Sequence, residues 1–232
     1  MVESASRSFT SNTPEGFRSG FVALIGRPNV GKSTLVNQLM GDKIAITSPV
    51  AQTTRNRLRA ILTTDEAQLI LVDTPGIHKP HHLLGERLVR SARSAIGEVD
   101  QVLLLLEGNE APGRGDAFIV QLLRQQPLPV QVLLNKWDLV PLEQKDAADS
   151  AYRELLGETD WPVHRCSALS GDGCPELVKA ISALMPEGPQ LYPADMVSDQ
   201  PERLLMGELI REQVLLNTRE EVPHSVAVSI DR

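Results

Sequence analysis

A glycine-rich octapeptide near the N-terminus has the composition and spacing of a phosphate-binding loop. It runs from Gly26 to Ser33 and matches the pattern G-x-x-x-x-G-K-[ST]. In such a loop the backbone N–H groups face phosphate oxygens, the lysine reaches the terminal phosphates, and the final hydroxyl ligates Mg²⁺. The predicted chemistry is binding of a nucleoside polyphosphate with Mg²⁺ as cofactor. The residues expected at the phosphates are Gly26, Arg27, Pro28, Asn29, Val30, Gly31, Lys32, Ser33 and Thr34.

The segments on either side of this loop have the patterns of a strand and a helix. Phe21–Ile25 is an apolar, partly β-branched run, which predicts a buried strand. Apolar residues recur at helical spacing over Lys32–Met40, and Gly41 follows as a helix stop. A loop between a strand and a helix directs its N–H groups and the helix N-terminus at one ligand. This context favours a phosphate site over a glycine turn without a ligand.

A second short motif, Asp73-Thr74-Pro75-Gly76, closes the predicted strand Gln68–Asp73. An aspartate at this place can hold Mg²⁺ through water, and the N–H of Gly76 can face the γ-phosphate. Asp-Pro-Gly sequences also form ordinary turns. The position after a phosphate loop favours the metal-binding interpretation.

The element Asn135-Lys136-Trp137-Asp138 follows the predicted strand Pro129–Leu134 and is suited to selecting a base. Guanine presents N1–H and N2–H₂ donors side by side, and the Asp138 carboxylate can accept both. Adenine would leave that carboxylate desolvated and unpaired. Asn135 is expected to bond the N7 and O6 side of the base, with the Lys136 stem over the base plane. Asp138 could also act as a helix N-cap, and the two roles can coexist.

Two further elements occur in the order that a guanine-nucleotide site requires. Ser167 and Ala168 follow the predicted strand Pro162–Cys166, and a backbone N–H there would meet guanine O6. Within Gln52–Asn56, the hydroxyl of Thr54 can complete the Mg²⁺ shell and sense the γ-phosphate. Thr53 is the neighbouring alternative, and a polar loop before a strand fits the same spacing. The predicted metal ligands are Ser33, Thr54 and Asp73.

From Phe21 onward, short apolar runs alternate with amphipathic helical segments. Strands are predicted at Phe21–Ile25, Arg57–Thr63, Gln68–Asp73, Gln101–Leu106, Pro129–Leu134 and Pro162–Cys166. Helices are predicted at Lys32–Met40, Gly85–Gly97, Gly115–Gln125, Gln144–Leu156 and Cys174–Leu184. Such alternation predicts an α/β fold with a mainly parallel sheet covered by helices on both faces. The second and third strands are close enough in sequence to form a hairpin, which would place one antiparallel strand at the sheet edge.

The alternation ends near Met185, which sets the expected domain boundaries. Residues 19–185 would form the α/β domain, and the Pro-rich residues 186–200 a linker. A helix at Pro201–Leu216 and a strand at Ser225–Ile230 would begin a second, α+β domain over 201–232, which the chain leaves incomplete. Residues 1–18 are rich in Ser and Thr and are expected to form a disordered tail. A transit peptide is the alternative, against which two acidic residues argue.

The composition excludes several classes of protein. The formal net charge is −7, so the chain as a whole is a poor nonspecific binder of nucleic acid or anionic membrane. Two cysteines, Cys166 and Cys174, form no C-x-x-C pair, which disfavours zinc, and a reducing cytosolic compartment is the simple interpretation. The apolar run Val102–Leu106 is too short to cross a membrane and indicates a buried strand.

Taken together, the five elements resemble the guanine-nucleotide motifs of the translation-factor-related GTPases, and finer features resemble the Era family. Ala51-Gln52-Thr53-Thr54-Arg55 is similar to its first switch, and 73–80 to its second. Residues 208–212 and 221–228 are similar to the entry of its C-terminal KH domain. The resemblance over Ser19–Met185 implies a P-loop NTPase G domain and a GTP-hydrolysing switch.

The resemblance also implies partners. It implies binding of GTP and GDP, of small-subunit (16S) ribosomal RNA and of the 30S subunit during ribosome assembly, by a monomer. It implies a cytoplasmic location with peripheral association at the inner membrane face. A KH domain grips RNA with a GXXG loop, and the chain ends before such a loop. Residues 185–232 contain nine acidic residues and four arginines, so they lack the excess of basic residues that is typical of an RNA-binding surface.

The residues expected to act in catalysis are Asn29, Lys32, Thr54 and Gly76. Ile77 occupies the place at which Ras-like enzymes have a glutamine that orients the attacking water, and an isoleucine cannot do so. The resemblance implies that Asn29 supports a K⁺ ion, whose charge would replace that of an arginine finger. The alternative is that Asn29 serves to tolerate an unusual backbone angle. Ile77 and Trp137 complete the set of residues expected at GTP.

Several other features favour a plain interpretation. His78, His81 and His82 lie in a polar segment without neighbouring acidic or thiol groups, which favours solvated residues over a metal site. Alternating arginines at 55, 57 and 59 favour a solvated edge strand over an RNA contact. Two other functions stay open: a nucleotide-dependent binding module with little turnover, and a related GTPase of tRNA modification or ribosome assembly.

Overall fold

The computed structural model describes residues 13–47, 58–74, 76, 96–218 and 226–230. These contain a six-stranded sheet in the order β2-β3-β1-β4-β5-β6, in which the β2–β3 pair is antiparallel and the other neighbours are parallel. The strands are β1 (Arg18–Gly26), β2 (Leu58–Thr63), β3 (Ala67–Asp73), β4 (Gln101–Glu107), β5 (Val130–Asn135) and β6 (Val163–Arg165). The helices are α1 (Lys32–Met40), α2 (Arg114–Leu123), α3 (Lys145–Leu156), α4 (Cys174–Ala183) and α5 (Glu202–Asn217). The predicted α/β fold is confirmed.

Alternate residues of β1 belong to two separate cores, one on each face of the sheet. Val22 and Leu24 pack in a cluster with residues of α1 and α4, while Ala23 and Ile25 pack in a cluster with residues of α2 and α3. Side chains of a strand alternate between its two faces, so a continuous apolar run is what a sheet covered on both sides requires. The helices on both faces thereby hold β1 and the loop that follows it.

The hairpin between β2 and β3 is confirmed. The N–H of Thr64 donates to the carbonyl of Ala67 at 2.8 Å, and β2 pairs with β3 from Leu58 opposite Asp73 to Thr63 opposite Gln68. From β1 the chain first builds the sheet to one side, through β2 and β3, and then to the other side, from β4 to β6. In open α/β sheets, ligands bind at the carboxyl ends of strands beside such a reversal.

The start of the fold lies earlier than the sequence indicates. The expected tail ends at residue 18, yet Phe17 is buried and Arg18 begins β1 opposite Ala67. The reason is backbone pairing: Arg18, Ser19 and Gly20 add to the ladder although their side chains give no strand pattern. Residues 1–12 lie outside the described part of the chain.

Residues 186–200 were expected to be a linker, and they are attached to the edge of the sheet. The N–H of Ile61 in β2 donates to Val197 at 2.9 Å, and the amide oxygen of Gln68 accepts from the N–H groups of Leu191 and Tyr192. Arg59 forms an ion pair with Asp199 at 3.0 Å, so this partly exposed side chain also contacts the 186–200 segment. An edge strand has backbone groups that a passing segment can pair with.

The C-terminal elements agree in part with expectation. The predicted helix Pro201–Leu216 is formed as α5, which begins one residue later at Glu202 and ends at Asn217. The expected strand Ser225–Ile230 is not formed over the described residues 226–230, since no neighbouring strand pairs with them there. Val228 instead lies along α5, with its carbonyl oxygen 3.4 Å from the place that a Cβ on Gly207 would take. The predicted helix Gly85–Gly97 falls outside the described residues except for its last two.

Among the described residues, no helix combines the length and the apolar character needed to span a membrane.

Candidate functional site

The loop after β1 adopts backbone angles that favour glycine and asparagine. Gly31 has φ 99° and Asn29 has φ 64°, both in the left-handed region. A Cβ on Gly31 would also lie 2.2 Å from Nδ2 of Asn135. Both the angle and the close approach therefore exclude a side chain at position 31. The angle at Asn29 agrees with the view that this residue tolerates unusual backbone geometry.

Lys32 lies at the start of α1 with its ammonium group turned back over the loop. Nζ donates to the carbonyl of Gly26 at 3.2 Å and to that of Arg27 at 2.9 Å, and the residue is buried. Burial lowers the pKa of Lys32 to about 8, and the nearby Asp73 carboxylate opposes this shift. A buried cation held by two carbonyls can exchange these contacts for phosphate oxygens.

Ser33 and Asp73 come together at the ends of α1 and β3. The Ser33 hydroxyl donates to Oδ2 of Asp73 at 2.8 Å, and Asp73 is 1% exposed. A hydroxyl and a carboxylate at this separation are the oxygen donors that Mg²⁺ uses when phosphate and water complete its shell. The described residues contain no cluster of three or more His, Cys, Asp or Glu side chains that could hold a metal. The donor set thus suits Mg²⁺ bound together with a phosphate.

The second switch begins against the phosphate loop. The Thr74 hydroxyl donates to the carbonyl of Leu24 at 2.7 Å, which fixes the chain as it leaves β3. A Cβ on Gly76 would lie 2.6 Å from the backbone nitrogen of Pro28. Gly76 is therefore the residue that allows this segment to approach the loop. The predicted site residues Thr54, Pro75 and Ile77 lie outside the described part of the chain.

The Arg27 side chain is directed away from the predicted phosphate position. Its Nε donates to the buried carboxylate of Asp116 at 2.8 Å, and the guanidinium also pairs with Glu110. Partial burial works to lower the pKa of Arg27, but the Asp116 and Glu110 carboxylates together outweigh it and the pKa is raised. Any role of Arg27 toward phosphate is then confined to its backbone, because α2 holds the side chain.

The Asn135 side chain joins two loops of the candidate site, and its expected contact with the base stays a prediction. Nδ2 donates to the carbonyl of Val30 at 2.7 Å, and Oδ1 accepts from the N–H of Ala168 at 2.9 Å. The amide thus ties the phosphate loop to the loop after β6. The sequence could not predict these two hydrogen bonds of Asn135, because they join three segments that are far apart in the chain.

The N–H groups of the loop after β6 are also used within the protein. The N–H of Ser167 donates to the carbonyl of Asp172 at 3.0 Å, and that of Ala168 to Asn135. The expected donation from Ser167 or Ala168 to guanine O6 stays a prediction. The loop lies beside the base-selecting element, since the N–H of Trp137 donates to the carbonyl of Cys166 at 3.1 Å.

The side chains of the base-selecting element point in different directions. Lys136, in the left-handed region at φ 59°, pairs through Nζ with Glu107. Trp137 packs on the core, and the guanidinium carbon of Arg165 lies 5.6 Å from its ring centre. Asp138 is exposed, and the described residues offer its carboxylate no hydrogen bond or ion pair.

Asp138 does not act as an N-cap, the alternative role that the sequence left open for it. The cap of the short turn Trp137–Leu139 is Lys136, and Asp138 lies within the turn. The exposed carboxylate therefore keeps its acceptor positions available for a pair of donors, as a guanine reader requires.

Comparisons with known proteins agree with this geometry. The family model described as "50S ribosome-binding GTPase" matches residues 21–136, half of the chain. The protein named GTPase Era from Synechocystis sp. is 57% identical over 219 residues, which cover 94% of this chain and 70% of that protein. The chain belongs to the Era family of GTPases.

Two further matches support the assignment to the Era family. GTPase Era from Rippkaea orientalis is 55% identical over 232 residues, covering 100% of this chain and 74% of that protein. A crystal structure of Era in complex with MgGDPNP and nucleotides 1506–1542 of 16S ribosomal RNA has a TM-score of 0.87 and 39% identity. The match covers 93% of this chain and 73% of the chain in the Era crystal structure. The chain is accordingly a GTPase with the predicted G-domain fold.

Three residues that support the Era-type site were not singled out from sequence. Asp116 holds Arg27, Glu107 holds Lys136, and Arg165 covers the ring of Trp137. Of these three residues, Glu107 could have been predicted from sequence, because it ends β4 at the same edge of the sheet as the predicted site. The roles of the other two depend on packing between elements.

Proposed function

We propose that the site at the carboxyl edge of the sheet binds GTP with Mg²⁺ and hydrolyses it as a molecular switch. The observation that carries the proposal is the meeting of Ser33 and Asp73, at 2.8 Å, beside Lys32 and at the same edge of the sheet as the exposed Asp138. These groups supply two metal ligands, a cation that can bind phosphate and a carboxylate that can recognise the base, all at one edge of the sheet. An Era structure that contains MgGDPNP supports Mg²⁺ as the cofactor.

Lys32 and the phosphate loop bind the polyphosphate. The ammonium group leaves the carbonyls of Gly26 and Arg27 for oxygens of the terminal phosphates, while loop N–H groups and the N-terminus of α1 face the same oxygens. Ser33 and Asp73 would hold the metal, with Thr54 as a third ligand. Bound Mg²⁺ neutralises charge that develops on the β- and γ-phosphate oxygens.

Base selection rests on Asp138. Its exposed carboxylate accepts the N1–H and N2–H₂ donors of guanine together. Asn135 acts by position: by joining Val30 to Ala168 it keeps the phosphate loop and the loop after β6 at a fixed separation. The stem of Lys136 covers the base while its ammonium group pairs with Glu107.

Hydrolysis is proposed to use the γ-phosphate contact of Gly76 and a monovalent cation near Asn29. Gly76 packs against Pro28, so its N–H lies next to the loop that holds the phosphates. Ile77 supplies no group that can orient water, which leaves a need for positive charge at the β–γ bridge. K⁺ supported by Asn29 would provide it, and Thr54 would report the presence of the γ-phosphate.

The organisation of the chain and its partners are also proposed from the family. Residues 19–185 form the G domain, 186–200 connect it along the sheet edge, and 201–232 begin a KH-type domain. The Era crystal structure with a 16S ribosomal RNA fragment supports binding of small-subunit rRNA and a role in 30S assembly. The proposal includes a monomeric state and a cytoplasmic location with peripheral contact at the inner membrane face.

The experiment that tests the proposal is nucleotide binding by the whole 232-residue chain in the presence of Mg²⁺. GTP is expected to bind at least about 100-fold more tightly than ATP, since a site built to pair a donor set rejects a ligand without it. Lys32→Ala is expected to abolish binding of both. Equal affinities for GTP and ATP would contradict the proposed site.

A further inference from the structure

The two cysteines of the chain lie next to each other in the fold. Cys166 directly follows β6, Cys174 is the first residue of α4, and both are buried in the same apolar cluster. A Cβ on Gly173 would lie 3.2 Å from the Cβ of Cys166, so the residue before Cys174 packs directly on Cys166. The two thiols are within hydrogen-bonding reach of each other. The fold thus brings together the two thiols that the sequence contains.

The chain between the two cysteines is a short loop closed by its own hydrogen bonds. The N–H of Ser167 donates to the carbonyl of Asp172 at 3.0 Å, and the N–H of Gly171 donates to the carbonyl of Ser167 at 2.8 Å. These bonds hold the ends of residues 167–173 together while both thiols are free. A disulfide forms without backbone movement only where the chain already holds its two residues close. The loop meets that condition through backbone bonds alone.

Cys174 also lines a cavity, which gives a small reagent a route to its thiol. The cavity has a volume of about 810 Å³ and lies between α1, α4 and the β2–β3 hairpin. Its wall includes Leu39 of α1, Leu62 of β2 and Val178 of α4. A volume of this size is typical of pockets that admit small molecules. Among the described residues that line the cavity, Cys174 is the one that carries a thiol, so an oxidant that enters meets Cys174 before Cys166.

The surroundings of the two thiols suit them to different steps of an exchange reaction. The hydrogen bond from the Cys166 thiol lowers the pKa of Cys174, although burial and the carboxylates of Asp172 and Glu176 oppose the shift. The N-terminus of α4 favours a thiolate at the same position. The same hydrogen bond, together with burial, raises the pKa of Cys166. Cys174 is therefore the thiol suited to attack, and Cys166 keeps its proton until a later step.

We propose that Cys166 and Cys174 are a reversible disulfide pair that a low-molecular-weight disulfide oxidises. The Cys174 thiolate attacks one sulfur of that disulfide, which forms a mixed disulfide and releases the other sulfur as a thiolate that takes up the proton lost by Cys174. Cys166 then loses its proton and attacks Sγ of Cys174, which forms the bond between the cysteines and releases the second small thiol. The protein thiols lose two electrons, and the reagent gains them as it is reduced to two thiols.

The bond would form at the base of a loop that belongs to the candidate site. Residues 167–173 include Ser167 and Ala168, and Sγ of Cys166 lies 3.8 Å from Oδ1 of Asn135. In reducing compartments, disulfides are usually transient and serve as redox sensors. Reduction by a small thiol would restore both cysteines. The inference goes beyond the proposed function and does not depend on nucleotide binding, so its failure would leave that function untouched.

The test treats the folded 232-residue chain with glutathione disulfide and measures its free thiols and its intact mass. We expect wild type to lose both thiols and the mass of two hydrogen atoms, and to recover both thiols with dithiothreitol. A cross-linked peptide that contains Cys166 and Cys174 would locate the bond. Retention of both thiols, a stable glutathione adduct, or a covalent dimer as the main product would overturn the proposal.

Single substitutions separate the roles of the two thiols. Cys166→Ser leaves Cys174 without a partner, so a stable adduct with one glutathione is expected. Cys174→Ser leaves only the thiol that lies behind the cavity wall, and its reaction with glutathione disulfide is expected to be at least about ten-fold slower. Equal rates in the two variants would contradict the assignment of Cys174 as the attacking thiol.

Thermal unfolding checks that each variant is folded. Cys166→Ala and Cys174→Ala form a second pair of variants, because an unpaired buried hydroxyl destabilises a protein. The result for wild type needs no variant, so it tests the disulfide itself even if a substituted chain fails to fold.

Discussion

At the scale of single residues, the protonation of Lys32 is expected to make nucleotide affinity depend on pH. Its ammonium group is buried beside two carbonyls, and burial lowers its pKa to about 8. A bound triphosphate surrounds the same nitrogen with negative charge, which favours the protonated form and raises the pKa. The affinity for nucleotide must therefore depend on whether the free protein already holds that proton.

The sign of the dependence follows from these two states. Below pH 8 the free and bound proteins both carry the proton, and affinity changes little with pH. Above pH 8 the free protein loses the proton while the complex keeps it, so binding takes up one proton and affinity falls as pH rises. The fall approaches about ten-fold per pH unit until the pKa of the complex is reached.

Isothermal titration in buffers of different ionisation enthalpy measures that proton uptake directly. Competition by inorganic triphosphate is the control, because it has no base whose own titration could contribute. An affinity that is constant from neutral pH to well above 8 would show that Lys32 does not lose its proton in the free protein.

At the scale of elements, the phosphate loop joins β1 to α1 and carries the proposed cation contact. Asn29 is in the left-handed region, which permits this loop geometry whatever its side chain does. The K⁺ proposal needs the side chain as well. Hydrolysis of GTP is expected to be slow and faster in K⁺ than in Na⁺ at equal ionic strength.

Substitution of Asn29 separates the two roles. Asn29→Gly keeps a residue that tolerates the left-handed region but removes the amide, so the advantage of K⁺ over Na⁺ should disappear while GDP still binds. Initial rates of phosphate release measure this. Equal rates in the two salts for wild type would exclude the cation, and a K⁺ advantage retained by the variant would exclude the Asn29 side chain.

The elements themselves were largely predictable, because apolar residues repeat with the period of each structure. Helix α1 has its predicted bounds, and the hairpin of β2 and β3 follows from their short connection. The beginning of β1 was missed since Arg18, Ser19 and Gly20 pair through backbone alone. The strand expected at Ser225–Ile230 depends on a partner that sequence pattern cannot supply.

The site was predictable at the level of motifs and less so at the level of individual bonds. The motif order predicted Ser33 and Asp73 as ligands of one Mg²⁺, and in the structure the two side chains lie 2.8 Å apart at the carboxyl ends of β1 and β3. The partners of Asn135, Val30 and Ala168, come from distant segments and follow from packing. A short polar motif therefore predicts a location more reliably than it predicts which atom each side chain contacts.

At the scale of the whole molecule, the residues after the G domain are closely attached to it. Residues 186–200 pair with the edge of β2, and Glu212 of α5 reaches the segment before the first switch. The chain spans 70% and 74% of the two Era proteins compared above. The contacts of 186–217 therefore hold these residues against the sheet edge and the segment after α1.

The central claim is that the nucleotide site recognises guanine through the Asp138 carboxylate. Replacement of that carboxylate by an amide tests the claim. In Asp138→Asn the amide donates to the C2 carbonyl of xanthine and still accepts from N1–H, whereas it repels the N2–H₂ of guanine. The affinities of wild type and variant for GTP and for xanthosine triphosphate are the measurement. We predict that the variant loses at least about 100-fold in GTP affinity and prefers the xanthine nucleotide. A variant that still prefers GTP would show that Asp138 is not the base reader.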